Sequence, residues 1–329
     1  MTPYLALMLA GALLGLLFTP AVTSASRSLG LVDAPGGRKV HSTAVPRVGG
    51  LAIVAAAAVA LVLVVSSLPM VGMAAPDFAP LSPILIGTTL VFGIGLFDDF
   101  AALSAAPKLI VQAIAATLVI AAGLLIERVT IGGTTWQLGL WAYPVTLVWV
   151  IGLTNAFNLI DGIDGLACGI AVIAGTTCAA ILIWRGHAAE AMLLAALVGS
   201  ALGFLVYNFA PASIFLGDSG SLAFGFVLAT TAIAGWQKGA TAIAAGVPLL
   251  IFALPIADAA STLLRRASRA PAGERFQVAP LVRRLIEPDR EHIHHRLMAL
   301  GWSQRRTVLV LYALTGALCA LALTTVRVE

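Results

Sequence analysis

Five polar clusters interrupt an otherwise apolar chain, and their residue types already suggest a chemistry. Asp98 and Asp99 are adjacent and follow the apolar run LVFGIGLF. Neighbouring carboxylates repel unless a cation, a proton or a basic partner lies between them. The stretch NAFNLIDGIDGLA places Asn155, Asn158, Asp161 and Asp164 at three-residue steps, which on a helix turns neighbours toward roughly one face. Gly162 and Gly165 within it permit a tight turn or the close approach of a ligand. A polar-capped connection between helices accounts for one such Asn or Asp, not for four in register. In YNFAPASIFLGDSGSL, Asp218 stands among Gly217, Ser219, Gly220 and Ser221 just ahead of an apolar helix. There it serves as an ordinary N-cap, or joins backbone N–H groups in holding a metal–phosphate complex, and the two roles are compatible.

The remaining clusters are basic. EHIHHRL carries His292, His294, His295 and Arg296, and the first polar connection carries Lys39, His41 and Arg47. His-x-His-His is not by itself a zinc set, since the cysteines lie elsewhere in apolar stretches. Clustered His and Arg beside an acidic centre suit phosphate oxygens better. Mg²⁺, with Mn²⁺ as a substitute, prefers oxygen ligands and commonly bridges one or two carboxylates to substrate phosphates. The composition of the clusters therefore points to Mg²⁺-assisted phosphoryl transfer.

The elements that must position these groups are membrane spans. Hydrophobic residues make up 60% of the 329 and charged residues only 10%, against about 25% charged in a soluble domain. Mean hydropathy is +1.01. Soluble, disordered and disulfide-scaffold classes are excluded, and Cys168, Cys178 and Cys319 are expected as small core residues. No basic stretch precedes the apolar N-terminus, so it is expected as a span rather than a cleaved signal peptide. A bilayer core of about 30 Å needs roughly 20 helical residues. Ten stretches qualify, near 3–26, 48–68, 81–97, 107–126, 139–155, 165–184, 190–207, 219–236, 239–262 and 307–326. The expected fold is all-α, one polytopic membrane domain over 1–329, with residues 263–306 forming a basic loop that carries the His motif.

With those spans, fifteen of the nineteen Lys and Arg residues fall in the odd-numbered connections, counting Lys108 at the edge of the third. Basic residues retained in short loops mark the cytoplasmic side. The same connections hold all five polar clusters, so a single cytoplasmic site is expected, with both termini facing the exterior. A basic loop is ordinarily a topology signal and a lipid-headgroup contact, the role read for Arg265, Arg266 and Arg269. Asp258, within a span beside Pro255, is read as an ion-pair partner of Arg265 or Arg266.

The quoted motifs, with DAPGGRKVHSTAVPRVGG at 33–50 and DDFAALSAAPKLIVQ at 98–112, resemble the polyprenyl-phosphate N-acetylhexosamine-1-phosphate transferase family from about Val32 to Leu300. The resemblance implies ten or eleven spans and a cytoplasmic site in a bacterial inner membrane. It implies that undecaprenyl phosphate attacks the β-phosphate of a UDP-N-acetylhexosamine to give undecaprenyl-diphospho-sugar and UMP, starting a cell-envelope polysaccharide. By motif, Asp98 and Asp99 match an acidic pair near the lipid phosphate and metal. Asp218 and Asn158 match metal-side residues, with Asp99 as a third candidate ligand. Asp161 and Asp164 match residues that line the nucleotide pocket or support catalysis. Phe215 matches an aromatic that stacks on uracil and Asn208 a polar contact beside it. His292, His294, His295 and Arg296 match the motif near the diphosphate. Lys39, His41 and Arg47 lie in the matching first-loop motif, and Lys108 follows the acidic pair at the family's spacing. Asn155 opens the Asn/Asp register and joins the substrate-binding candidates.

Two departures matter. Position 102 is Ala, so the acidic motif is not a full DDxxD. The His-Ile-His-His-Arg pattern resembles the hexosamine-phosphate branch, which favours UDP-GlcNAc over the UDP-MurNAc-pentapeptide of peptidoglycan synthesis. An intramembrane prenyltransferase would need a second spaced Asp motif, and a CDP-alcohol phosphotransferase would need Ala-Arg after its Asp-Gly. An ion-coupled transporter would place acidic residues at mid-membrane, where only Asp258 comes close. The expected partners are the two substrates and the bilayer, not nucleic acid; a homodimer stays open.

Overall fold

The computed structural model describes residues 2–33, 44–131, 134–237, 246–268 and 292–327. In chain order these form α1 (Thr2–Ser28), the short pair β1 (Val32–Asp33) and β2 (Val45–Pro46), α2 (Gly49–Ser67), α3 (Ser82–Ala101) and α4 (Ala105–Ala121). A hairpin of β3 (Arg128–Ile131) and β4 (Thr134–Gln137) leads to α5 (Ala142–Ile160), α6 (Leu166–Trp184), α7 (Ala188–Asn208) and α8 (Gly217–Gln237). Then come α9 (Gly246–Ile251), α10 (Ala253–Ser268), α11 (Ile293–Ala299) and α12 (Gln304–Arg327). Both sheets are two-stranded and antiparallel, the hairpin pairing Arg128 with Gln137 and Ile131 with Thr134.

In hydrocarbon every backbone group needs an internal partner, which the α-helix supplies. Among the described residues, seven stretches are long and apolar enough to cross a membrane: 2–28, 49–71, 79–101, 139–160, 166–184, 188–208 and 304–326. The protein is a multi-pass membrane protein. Hydroxyls inside these helices turn back to the preceding turn, as Thr19 does to the Gly15 carbonyl at 2.6 Å and Thr154 to Val150 at 2.7 Å. The expected spans 107–126 and 219–236 correspond to α4, shorter at 17 residues, and α8, at 21.

The expected span 239–262 needs correction. Its described part is two helices, α9 ending at Ile251 and α10 beginning at Ala253. Pro255 has no N–H to offer the Ile251 carbonyl four residues earlier, which interrupts the helix there, although the Phe252 N–H still meets the Pro248 carbonyl at 2.9 Å and the Ile256 N–H the Phe252 carbonyl at 3.0 Å.

α6 and α7 are largely buried, and α8 packs against α2, α3, α5 and α6. α1 lies against α7 through glycines on both helices: a Cβ at Gly11 would stand 2.7 Å from the Ala196 carbonyl, and one at Gly199 would collide with the Met8 carbonyl. Small residues let backbones approach where no hydrophobic force drives them together. The N-terminal ends of α2, α4 and α8 meet the C-terminal ends of α3 and α5 at one end of the bundle. The β3–β4 hairpin lies at the other, where Trp136, Trp141 and Tyr143 are exposed, as in an interfacial aromatic belt.

Candidate active site

α3 delivers two carboxylates to the crowded end of the bundle, and they do different things. Asp98 is buried, and its Oδ1 accepts the Leu103 N–H at 2.5 Å where α3 ends. Lys108, in the first turn of α4, donates from Nζ to Asp98 Oδ2 at 3.3 Å and to Asp218 Oδ2 at 2.7 Å. One ammonium thus bridges carboxylates from α3 and α8. Asp99 turns instead to the start of α8: its Oδ1 accepts the Asp218 N–H at 2.7 Å, and its Oδ2 accepts the Ser219 N–H at 3.1 Å and the Ser219 hydroxyl at 2.5 Å. It answers N–H groups that a helix N-terminus leaves unpaired.

The start of α8 is pinned a second way. The Phe215 N–H donates to the Pro46 carbonyl at 2.8 Å, and the Gly49 and Gly50 N–H groups donate to Phe215 and Leu216 carbonyls at 3.0 and 2.8 Å. Gly217 then turns with φ +75°, beside the Arg47 carbonyl and 2.7 Å from both Asp99 oxygens for any added Cβ. Only glycine takes that conformation in that space without strain.

The Asn/Asp register is shared out rather than gathered on one face. Asn155 donates to Gln112 Oε1 at 2.5 Å, and Asn158 donates to Ser221 Oγ at 3.0 Å, which donates to the Gly217 carbonyl at 2.9 Å. α5 ends at Ile160, so Asp161 and Asp164 lie on the following loop. Asp164 Oδ2 accepts the Ala212 N–H at 2.9 Å. Burial and then the charges of Asp218, Asp99 and Asp164 push the Asp161 carboxyl well above the usual range, with Arg47 opposing.

The His motif docks beside that loop. His294 is 1% exposed, its ring packed where a Cβ on Gly162 would stand, stacked on His292 at 5.7 Å and tilted against His295 at 4.3 Å. Neither ring nitrogen of His294 has a partner among the described residues. Burial, with the His295 charge, lowers its pKa to about 3, so it is a neutral ring. Asp258 corrects an expectation: its Oδ2 meets His292 Nδ1 at 2.7 Å and its Oδ1 accepts the Ile293 N–H at 2.7 Å, in place of an arginine.

The other candidates are peripheral or supporting. Arg47 pairs with Asp33 at 3.7 Å, and Arg296 is exposed on α11. Asn208 is buried and donates to the Ile214 carbonyl at 3.0 Å, bracing the loop that carries a partly exposed Phe215. Lys39 and His41 lie outside the described residues. Gln112, Ser219 and Ser221 stand within the quoted motifs but were given no catalytic or binding role, because a single polar residue beside an apolar helix carries no pattern of its own. Asp258 was visible, as a carboxylate in an apolar stretch, but with a different partner.

A divalent ion fits this donor set with qualification. The available groups, Asp218, Asp98 and the amide oxygen of Asn158, are all hard oxygens, as Mg²⁺ prefers. Among the described residues, no three His, Cys, Asp or Glu side chains converge as a cage. Asp99 is committed to the α8 N-terminus, and Lys108 sits between the carboxylates that remain.

Comparison with known proteins places this geometry. The profile of glycosyl transferase family 4 matches residues 81–236, which hold Asp98, Lys108, Asn158 and Asp218. A probable undecaprenyl-phosphate N-acetylglucosaminyl 1-phosphate transferase of Bacillus subtilis (strain 168) is 36% identical over 300 residues, covering 90% of this chain and 78% of the relative. The chain belongs to glycosyl transferase family 4. A decaprenyl-phosphate N-acetylglucosaminephosphotransferase of Mycobacterium tuberculosis is 33% identical over 317 residues, covering 90% and 76% of the two chains. A phospho-N-acetylmuramoyl-pentapeptide-transferase of Desulforudis audaxviator is 33% identical over 309 residues, covering 87% and 86%. Both kinds of glycosyl transferase family 4 relative span nearly the whole chain, so the family resemblance extends beyond the central motifs to the helices that carry them.

Proposed function

We propose that this protein transfers an N-acetylhexosamine 1-phosphate, GlcNAc 1-phosphate in the first instance, from a UDP-sugar to undecaprenyl phosphate. The observation that carries the reading is the meeting of Asp98, Lys108 and Asp218 from three helices at one end of a membrane bundle. A soluble nucleotide sugar and a lipid-borne phosphate can both reach such a place. The excess of basic residues in the odd-numbered connections of the sequence supports a site on the cytoplasmic side of the inner membrane.

An oxygen of the lipid phosphate attacks the β-phosphorus of the UDP-sugar. The bond from that phosphorus to the oxygen bridging the α- and β-phosphates breaks, and UMP leaves with the electron pair. A phosphate monoester has a second pKa near 6, so the attacking group is mostly dianionic at neutral pH and needs no strong base. Asp218, with Asn158 or Asp98, would hold Mg²⁺, which when bound withdraws charge from the diphosphate and steadies the leaving group. Lys108, drawn off its carboxylates, binds a phosphate oxygen. Arg296 and the histidines border the diphosphate, and Phe215 offers a face to the uracil.

The test is purified protein in detergent with Mg²⁺, undecaprenyl phosphate and a panel of UDP-sugars. Mass analysis of the lipid product should find diphospho-GlcNAc with stoichiometric UMP. A lipid bearing MurNAc-pentapeptide would move the protein to the other branch, and no lipid product with any donor would end the reading.

A further inference from the structure

The carboxylate of Asp258 belongs to none of the clusters from which the transfer reaction was read. It is 1% exposed on α10, and its two oxygens are spent on one target, the start of the His segment. Oδ2 lies 2.7 Å from His292 Nδ1, and Oδ1 accepts the Ile293 N–H at 2.7 Å, the first backbone donor of α11. An ionised carboxylate only accepts hydrogen bonds. His292 Nδ1 must therefore carry the proton, and in the neutral ring Nε2 is left as the basic, proton-accepting atom. Thr262 Oγ1, at 3.4 Å from the same Nδ1, receives a hydrogen bond from Arg265 Nη2 at 3.1 Å, so among the described residues Nδ1 faces polar groups of α10.

The consequence reaches the site through packing. His292 is 5% exposed and stacks nearly parallel on His294, which lies against Gly162 beside Asp161. We propose that Asp258 is a positioning residue for the transfer reaction: it fixes His292 as the Nδ1–H tautomer and holds the His segment against the 161–165 loop, so that Nε2 is free to take the remaining proton of a monoanionic lipid phosphate. A carboxylate in this relation to a histidine sets both ring orientation and basicity. The inference rests on the proposed transferase reading for the identity of the substrate, while the tautomer claim stands apart from it.

Asp258→Asn is nearly isosteric. Its amide oxygen can still accept the Ile293 N–H, but its NH2 must donate to Nδ1, which forces the proton onto Nε2. Nitrogen-15 NMR of histidine-labelled protein in detergent should show the Nδ1–H form of His292 in the parent, assigned by its loss in His292→Gln, and the Nε2–H form in Asp258→Asn. kcat should fall about a hundredfold, with KM for UDP-sugar and lipid phosphate within about twofold. The double variant Asp258→Asn/His292→Gln should be no slower than His292→Gln alone.

Several results would overturn the proposal: an Nε2–H ring in the parent, an unchanged kcat in Asp258→Asn, or additive losses in the double variant. A loss of folding in Asp258→Asn, seen as aggregation on sizing, would transfer the decision to the parent spectrum and the His292→Gln kinetics. If the parent shows the Nδ1–H form but makes no lipid product from any UDP-sugar, the function reading fails and the tautomer claim survives.

Discussion

Lys108 Nζ reaches Asp218 Oδ2 at 2.7 Å across 110 residues of sequence, so the carboxylate proposed to hold a metal is already paired with a cation. The protein carries its own cation among its acidic residues. On the proposed function, a divalent ion would compete with the ammonium for the same oxygens. Lys108→Met should bind Mn²⁺ roughly tenfold more tightly by electron paramagnetic resonance, because removing the cation that pairs with both carboxylates leaves their charge to the metal. The same variant should lose transfer activity for want of a phosphate-binding cation. Unchanged Mn²⁺ affinity would mean that the two cations use separate oxygens.

Asp218→Asn keeps the shape of the α8 start and removes the charge. UMP release with Mg²⁺ present should fall by at least about a hundredfold, while the protein elutes as the parent does on sizing. Near-normal turnover would take Asp218 out of the metal role.

Asp99→Ala tests a different office for the neighbouring carboxylate. Its oxygens accept three hydrogen bonds from Asp218 and Ser219. Loss of such a cap costs about 1–2 kcal/mol, read as a lower melting temperature in detergent. Asp218→Asn should not show that thermal loss, and a parent-like melting curve for Asp99→Ala would refute the capping role.

Gly217→Ala puts a methyl group against the Arg47 carbonyl at φ +75°. Strain of this kind costs at least about 1–2 kcal/mol. Both melting temperature and kcat should drop, whereas Gly30→Ala, at φ +70° with open space around it, should leave kcat alone.

His294 gives the pH dependence. An unfolded histidine titrates near 6.5, whereas burial holds folded His294 neutral down to about 3. Between those values the unfolded chain takes up the extra proton, so the contribution is complete above about pH 6.5 and is lost as pH falls toward 3. Melting temperature should decline from pH 7 to pH 5, and His294→Leu should flatten that slope. Leucine also relieves two ring nitrogens that lack partners among the described residues. Parallel slopes in the two proteins would assign the acid sensitivity elsewhere.

Much of this site was legible because apolar chains make polar residues conspicuous. Asp98, Asp99 and Asp218 could be picked out by cost alone, and the odd-numbered connections predicted that they share an end of the bundle. What the pattern could not tell was the division of labour. Asp98 and Asp99 are adjacent, so a helical twist of about 100° per residue sends them to different partners. The three-residue register from Asn155 to Asp164 assumed a helix that stops at Ile160, before its last two members. Asp258 and His292 are 34 residues apart across a stretch with no periodic signal, and local spacing favoured the nearby arginines. The break at Phe252 was foreshadowed by Pro255, whose missing N–H counted for less in the hydropathy pattern than the apolar run around it.

The hydrogen bonds joining Pro46, Gly49 and Gly50 to Phe215 and Leu216 also set a limit on how this chain can vary. They lock the phase of α8 to that of α2. One residue added between Leu216 and Ser219 would swing the helix by about 100° and turn its acidic group away from Lys108. An insertion that an outer loop would tolerate should therefore dismantle the site when placed here, so the length of this junction matters to the site as much as its composition.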